Sequence, residues 1–111
     1  MPLSRRARIE VYLPVENTAR YRRLRAAIES EFLSTFGGCT IIRGAKGLYL
    51  SAAGKIDTDD IDMIYADTPF EFVQNAETIG KYGDDLRAFI LEATTEESVL
   101  VVVHELYHSA A

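Results

Sequence analysis

The chain has 111 residues, 48% hydrophobic and 26% charged, with a formal net charge of −5 and a single cysteine. That length suits one domain, residues 1–111, with a single core. One cysteine excludes an internal disulfide framework and a cysteine-cluster zinc site, and no apolar run reaches the roughly 20 residues of a membrane span.

The first element in chain order is RIEVYLPV, where Ile9, Val11, Leu13 and Val15 alternate with Arg8, Glu10 and Tyr12. A period of two marks a strand with one face in a core, and Pro14 ends it because proline cannot donate to a ladder. Asn17 or Thr18 can cap the helix that follows. Tyr21, Leu24, Ile28, Phe32 and Phe36 lie on one helical stripe, and Gly37-Gly38 stops it. An irregular strand over 40–50, interrupted near Gly44–Gly47, turns at Ala53-Gly54-Lys55 into a strand at about 60–66. Residues 70–83 read as packed loop or helix. A packed loop for PFEFVQ is preferred, then a helix from about Ala76 to Ala93, with a break at GKYGDD as the alternative, since each interior glycine costs about 1 kcal/mol relative to alanine. SVLVVVHEL is the last strand. The order predicts an α+β, ferredoxin-like βαββαβ sandwich: a four-stranded antiparallel sheet with two helices on one face, first and third strands central.

The stretch FGGCTIIRGAKGLYLSAAGKI resembles a family of small, largely uncharacterised bacterial proteins of ferredoxin-like fold. The shared pattern is Phe36-Gly37-Gly38-Cys39-Thr40, then Gly44, Gly47 and Tyr49, with an acidic opening to the last strand in EESVLVVV. It departs at residues 70–83, which are longer than the pattern. The resemblance implies a fold and carries no activity.

One motif names a chemistry. His104-Glu105-Leu106-Tyr107-His108 spells H-E-x-x-H, in which two histidines on one helix face hold zinc. Val99–Val103 runs straight into it with four β-branched residues, which favours a strand. On a strand the two histidines stand about 13 Å apart and Glu105 faces away from both, so the zinc reading of His104 and His108 is set aside. No metal or other cofactor is expected. DTDDID fails as a calcium loop, having Ile61 at a ligand position and no glycine at the sixth, and reads as a solvated acidic turn. RGAKG lacks the spacing of a phosphate-binding loop and reads as a bulge. Cys39 beside Ile41-Ile42 reads as a small core filler.

Charge is unevenly placed: residues 1–36 hold seven Arg against four Glu, and residues 37–111 five basic against thirteen acidic side chains. Such polarity can bring copies together or steer a charged partner, though an uneven solvated surface is the simpler account. Arg20, Arg22, Arg23 and Arg25 could meet a nucleic-acid backbone, but the overall acidity weighs against it. The start, MPLSRRARIEVYL, carries no signal-peptide pattern, so a cytoplasmic location and no membrane partner are expected.

The last strand is apolar on both faces, and Tyr12, Tyr49 and Ile64 add to the faces opposite Val11, Leu48 and Met63. A sheet wetted on one side should alternate. The second face is therefore expected to be covered, with a second copy as its lid: a homodimer through the open sheet face. The leading function is a non-catalytic, self-associating binding or regulatory module. The alternative is a small-molecule enzyme with a cleft at that face, where Tyr12, Tyr49 and His104 are the candidate ligand-binding groups. The zinc hydrolase comes third.

Overall fold

A computed structural model describes residues 3–94 and 99–109. The elements run β1 (Leu3–Pro14), α1 (Ala19–Phe36), β2 (Thr40–Leu50), β3 (Ile56–Asp67), α2 (Phe72–Ala93) and β4 (Leu100–Ser109). The result is an α+β architecture: one four-stranded antiparallel sheet, ordered β2-β3-β1-β4, with two helices.

Alternation in β1 fixes the sides of the sheet. Ala7, Ile9, Val11 and Leu13 are buried, and the residues between them line the other face. Register carries that division across the sheet. Val11 pairs with Ile64 and Val101, Ile9 with Ala66 and Val103, and Leu13 with Asp62. Both helices lie on this side. Tyr21 of α1 reaches Asp62, and Gly83 of α2 lies against Val101 and Val103. Phe32, Ile28, Leu24, Ile79, Leu86 and Ile90 complete a single core there.

Local signals set the ends of α1. The Thr18 hydroxyl accepts from Tyr21 N at 3.0 Å, and Gly37 adopts φ +84° and donates to Leu33 O at 3.0 Å. β1 starts earlier than RIEVYLPV suggested. Val15 falls outside it and is exposed, though its amide still donates to Asp60 O at 2.9 Å.

β2 and β3 form a hairpin closed over Ser51–Lys55, where Ser51 N donates to Lys55 O at 2.7 Å. Its register jumps between Ile42/Met63 and Ala45/Ile61, so one extra residue sits on β2 as a bulge with Gly44 at φ +79°. β3 is longer than the 60–66 expected from sequence, and pairing with β1 ends at Pro14–Ile61. Beyond that point the hairpin continues as a two-stranded ribbon. The acidic run DTDDID therefore lies in a strand and not at a turn.

α2 corrects the reading of residues 70–83. It begins at Phe72, inside the segment expected to be a packed loop, and passes unbroken through Gly80 and Gly83. The physical reason is tertiary. A Cβ on Gly83 would stand 3.1 Å from Val103 Cγ2, so this glycine lets the helix approach β4 closely. Phe72 also packs against the core, which gives the first turn an anchor in place of a side-chain cap.

Candidate binding surface on the open sheet face

Away from the helices, β1 presents Arg8, Glu10 and Tyr12 in line. Arg8 lies opposite Asp67 and His104, Glu10 opposite Tyr65 and Val102, and Tyr12 opposite Met63 and Leu100. These cross-strand pairs build two polar groups on an otherwise apolar surface.

In the first group, Arg8 grips Asp67 with two bonds, Nε to Oδ1 at 2.6 Å and Nη2 to Oδ2 at 3.0 Å. Its guanidinium lies 4.1 Å from the centroid of the Tyr65 ring. The hydrogen bonds to Asp67 push the Arg8 pKa above its ordinary value, against the opposing effect of burial. In the second group, Tyr12 Oη donates to Glu10 Oε1 at 2.9 Å. His104 Nε2 stands 3.1 Å from Glu10 Oε2, a close contact without a directed hydrogen bond, and that nitrogen is shielded from solvent. The Glu10 carboxylate raises the Tyr12 pKa first through its hydrogen bond, and burial adds to it.

At the ribbon end of this face is a cleft of about 350 Å³, lined by Tyr12, Pro14, Tyr49, Asp59, Ile61, Val99 and Leu100. Gly47 shapes one wall. A Cβ there would lie 2.6 Å from Tyr49 Oη and 2.7 Å from Ile61 Cδ1, so the Tyr49 side chain crosses its own strand where no side chain stands in the way.

The structure thus brings Tyr12 and Tyr49 to one cleft and joins His104 to Tyr12 through Glu10, with His104 outside the lining. His104 and His108 both belong to β4, paired with Arg8 and Ser4. Four strand residues separate their backbones by about 13 Å, too far for one ion within one copy. Among the described residues no three His, Cys, Asp or Glu side chains gather as a metal set. Also among the described residues, no helix is long and apolar enough to cross a membrane. The acidic opening of the last strand at Glu96-Glu97 lies outside the described residues.

Other candidates have structural partners. Asp62 is buried and accepts from Tyr21 Oη at 2.7 Å, whereas Asp57, Asp59 and Asp60 are exposed on the ribbon. Arg25 contacts Asp62 at 3.4 Å and Glu29 at 3.5 Å. Cys39 is half-buried against the core, where desolvation, helped by Glu29, pushes its thiol pKa up and away from thiolate chemistry. Glu10 and Asp59 were missed as site residues. The alternation of β1 put Glu10 on the open face, but its cross-strand partner cannot be read from local spacing.

No protein-family model matches the chain, and neither does any curated protein sequence. Among solved structures, the chain is similar to the crystal structure of CutA1 from Oryza sativa, with a TM-score of 0.61 and 18% sequence identity over 97% of this chain and 85% of that one. At that identity the likeness shows the fold alone.

Proposed function

We propose that this chain is a non-catalytic binding module of ferredoxin-like fold that works as a self-associated assembly. The βαββαβ order and the β2-β3-β1-β4 arrangement support the fold reading. One observation carries the association: the ribbon beyond Pro14 exposes Leu48, Leu50 and Ile56 at 68, 75 and 71%. An isolated two-stranded ribbon is marginally stable in water, and apolar side chains clustered on one mark a contact surface. Register places these three on the face of the ribbon opposite Tyr49, the one that continues the helix side of the sheet, where they stay exposed.

A second copy is the occupant that charge favours. The ribbon carries Asp57, Asp59 and Asp60, and residues 1–36 carry a net positive charge. A homodimer that packs this exposed flank against a second copy, in place of the dimer through the open sheet face expected from sequence, is the simplest closed form, and about 800 Å² per copy would make a standard interface. Sedimentation velocity at micromolar concentration tests the reading. The expected species is a multiple of the 12.4 kDa chain, converted to monomer by Leu48→Asp with Ile56→Asp. A wild-type monomer overturns it.

A second reading, a small-molecule enzyme at the open sheet face, is favoured by the Tyr12–Glu10–His104 chain beside the cleft. A thermal-shift screen of carboxylates, phosphates and aromatics tests it. Silence across all three classes counts against catalysis there.

A further inference from the structure

The geometry points to the Tyr12–Tyr49 cleft as a binding site for a small organic cation, an alkylammonium or guanidinium compound. Three features of the lining converge on that class. Two tyrosine rings, one from β1 and one from β2, flank an apolar floor of Ile61, Pro14 and Leu100. Aromatic faces attract cations most strongly where water is displaced. The Asp59 carboxylate stands at the same wall with no cationic partner among the described residues, and no Lys, Arg or His contributes to the lining. Its neighbour Asp60 is neutralised by Lys46, so Asp59 is the anion left to the cleft. The Tyr49 side chain also lies across its own strand over Gly47. Gly47 leaves the space it crosses, so this wall is formed before a ligand arrives.

Other ligand classes fit less well. An anion would meet Asp59 without a counter-charge. A divalent metal would find one carboxylate and phenols, of which Tyr12 keeps its proton beside Glu10. The groove between the helices, about 370 Å³ and lined by Ile28, Glu31, Tyr82, Asp85 and Phe89, is less suited to a cation. There Glu31 already accepts from Tyr82 and Thr35, and Asp85 is paired with Lys81.

The site rests on reading the open face as a binding surface, not on self-association. The test is an NMR titration of the full chain with choline, agmatine and the neutral choline isostere 3,3-dimethylbutan-1-ol. Choline or agmatine is expected to shift resonances of Tyr12, Tyr49, Ile61 and Leu100 with a Kd tighter than about 10 mM. The neutral alcohol should bind about tenfold more weakly. Asp59→Asn and Tyr49→Leu should each weaken the cation about tenfold, the leucine keeping an apolar cover over Gly47 while removing the ring. Equal binding of the neutral isostere, or no shifts at these residues with either cation, overturns the proposal. Repeating the titration on Leu48→Asp/Ile56→Asp separates the two readings: a monomer that still binds choline refutes neither the site nor its chemistry, whereas a dimer blind to both cations sinks the site alone.

Discussion

Tyr21 on α1 donates its phenolic proton to Asp62 Oδ2 on β3 at 2.7 Å, with both side chains buried. This bond fastens the first helix to a central strand beneath the apolar stripe. Removing the donor leaves a buried carboxylate with only the longer 3.4 Å contact from Arg25. Tyr21→Phe is therefore expected to cost about 1–3 kcal/mol. Urea unfolding measures it, and a change below about 0.5 kcal/mol, the scale of a surface substitution, would contradict this role.

The same phenol makes stability depend on alkaline pH. Burial, then the bond to Asp62, raises the Tyr21 pKa. Burial, then the bond to Glu31, does the same for Tyr82. The folded chain keeps these protons where the unfolded chain loses them near pH 10. The unfolded state then binds fewer protons, so this contribution is intact below about pH 10 and declines as pH rises further. Phenolate absorbance should show Tyr21 and Tyr82 ionising only with unfolding, and Tyr21→Phe with Tyr82→Phe should flatten the alkaline slope of stability. An unchanged slope would refute the assignment.

Gly80 and Gly83 share a helix but should respond oppositely to alanine. Nothing lies within 4 Å of a Cβ on Gly80, so Gly80→Ala should gain about 0.5–1 kcal/mol from helix propensity. At Gly83 the new methyl meets Val103 Cγ2 at 3.1 Å, so the valine must shift and the gain is offset or reversed. Thermal melts of the two variants provide the comparison. Equal stabilisation by both would mean that the α2–β4 contact is loose.

Gly47→Ala should displace the Tyr49 ring, because the added Cβ would stand 2.6 Å from Tyr49 Oη and 2.7 Å from Ile61 Cδ1. The swung ring leaves the apolar floor open, at a cost of about 1 kcal/mol, with larger solvent perturbation of tyrosine absorbance. A crystal structure of the variant with Tyr49 unmoved would show that the wall does not depend on the glycine.

Zinc should leave the melting temperature unchanged, and His104→Ala should not alter that indifference, because β4 keeps the two histidine backbones about 13 Å apart. A stabilisation by stoichiometric zinc that His104→Ala removes would refute the strand argument.

Much of this architecture is local and so can be read from sequence. The stripe Tyr21–Phe32, Thr18 at its start and Gly37 at its end define α1 without help from the rest of the chain. Gly83 could not be read this way: as a letter it weakens a helix, and only the neighbouring Val103 explains why it is there. Asp62 similarly looked like one more member of an acidic run until Tyr21 and Arg25 were found against it. In the candidate site, Tyr12 and Tyr49 were visible as aromatics on strand faces. Glu10 was hidden because His104 comes from the far end of the chain, and Asp59 because the ribbon's extent depends on where β1 stops.

The bulge at Gly44 has a consequence for both surfaces of the ribbon. Side chains on a strand alternate, so one inserted residue shifts the phase of everything downstream. Because of it Ala45, Gly47 and Tyr49 face the same way as Ile42, and Leu48 and Leu50 face the other. A regular ladder that kept Gly44 and paired it with Ile61 would exchange the two sets, turning Leu48 and Leu50 to the Ile61 side and Tyr49 to the other, whereas deleting Gly44 would keep Ala45 opposite Ile61 and every downstream side chain on its present face. The aromatic wall and the greasy flank are thus assigned to their sides by a single unpaired residue.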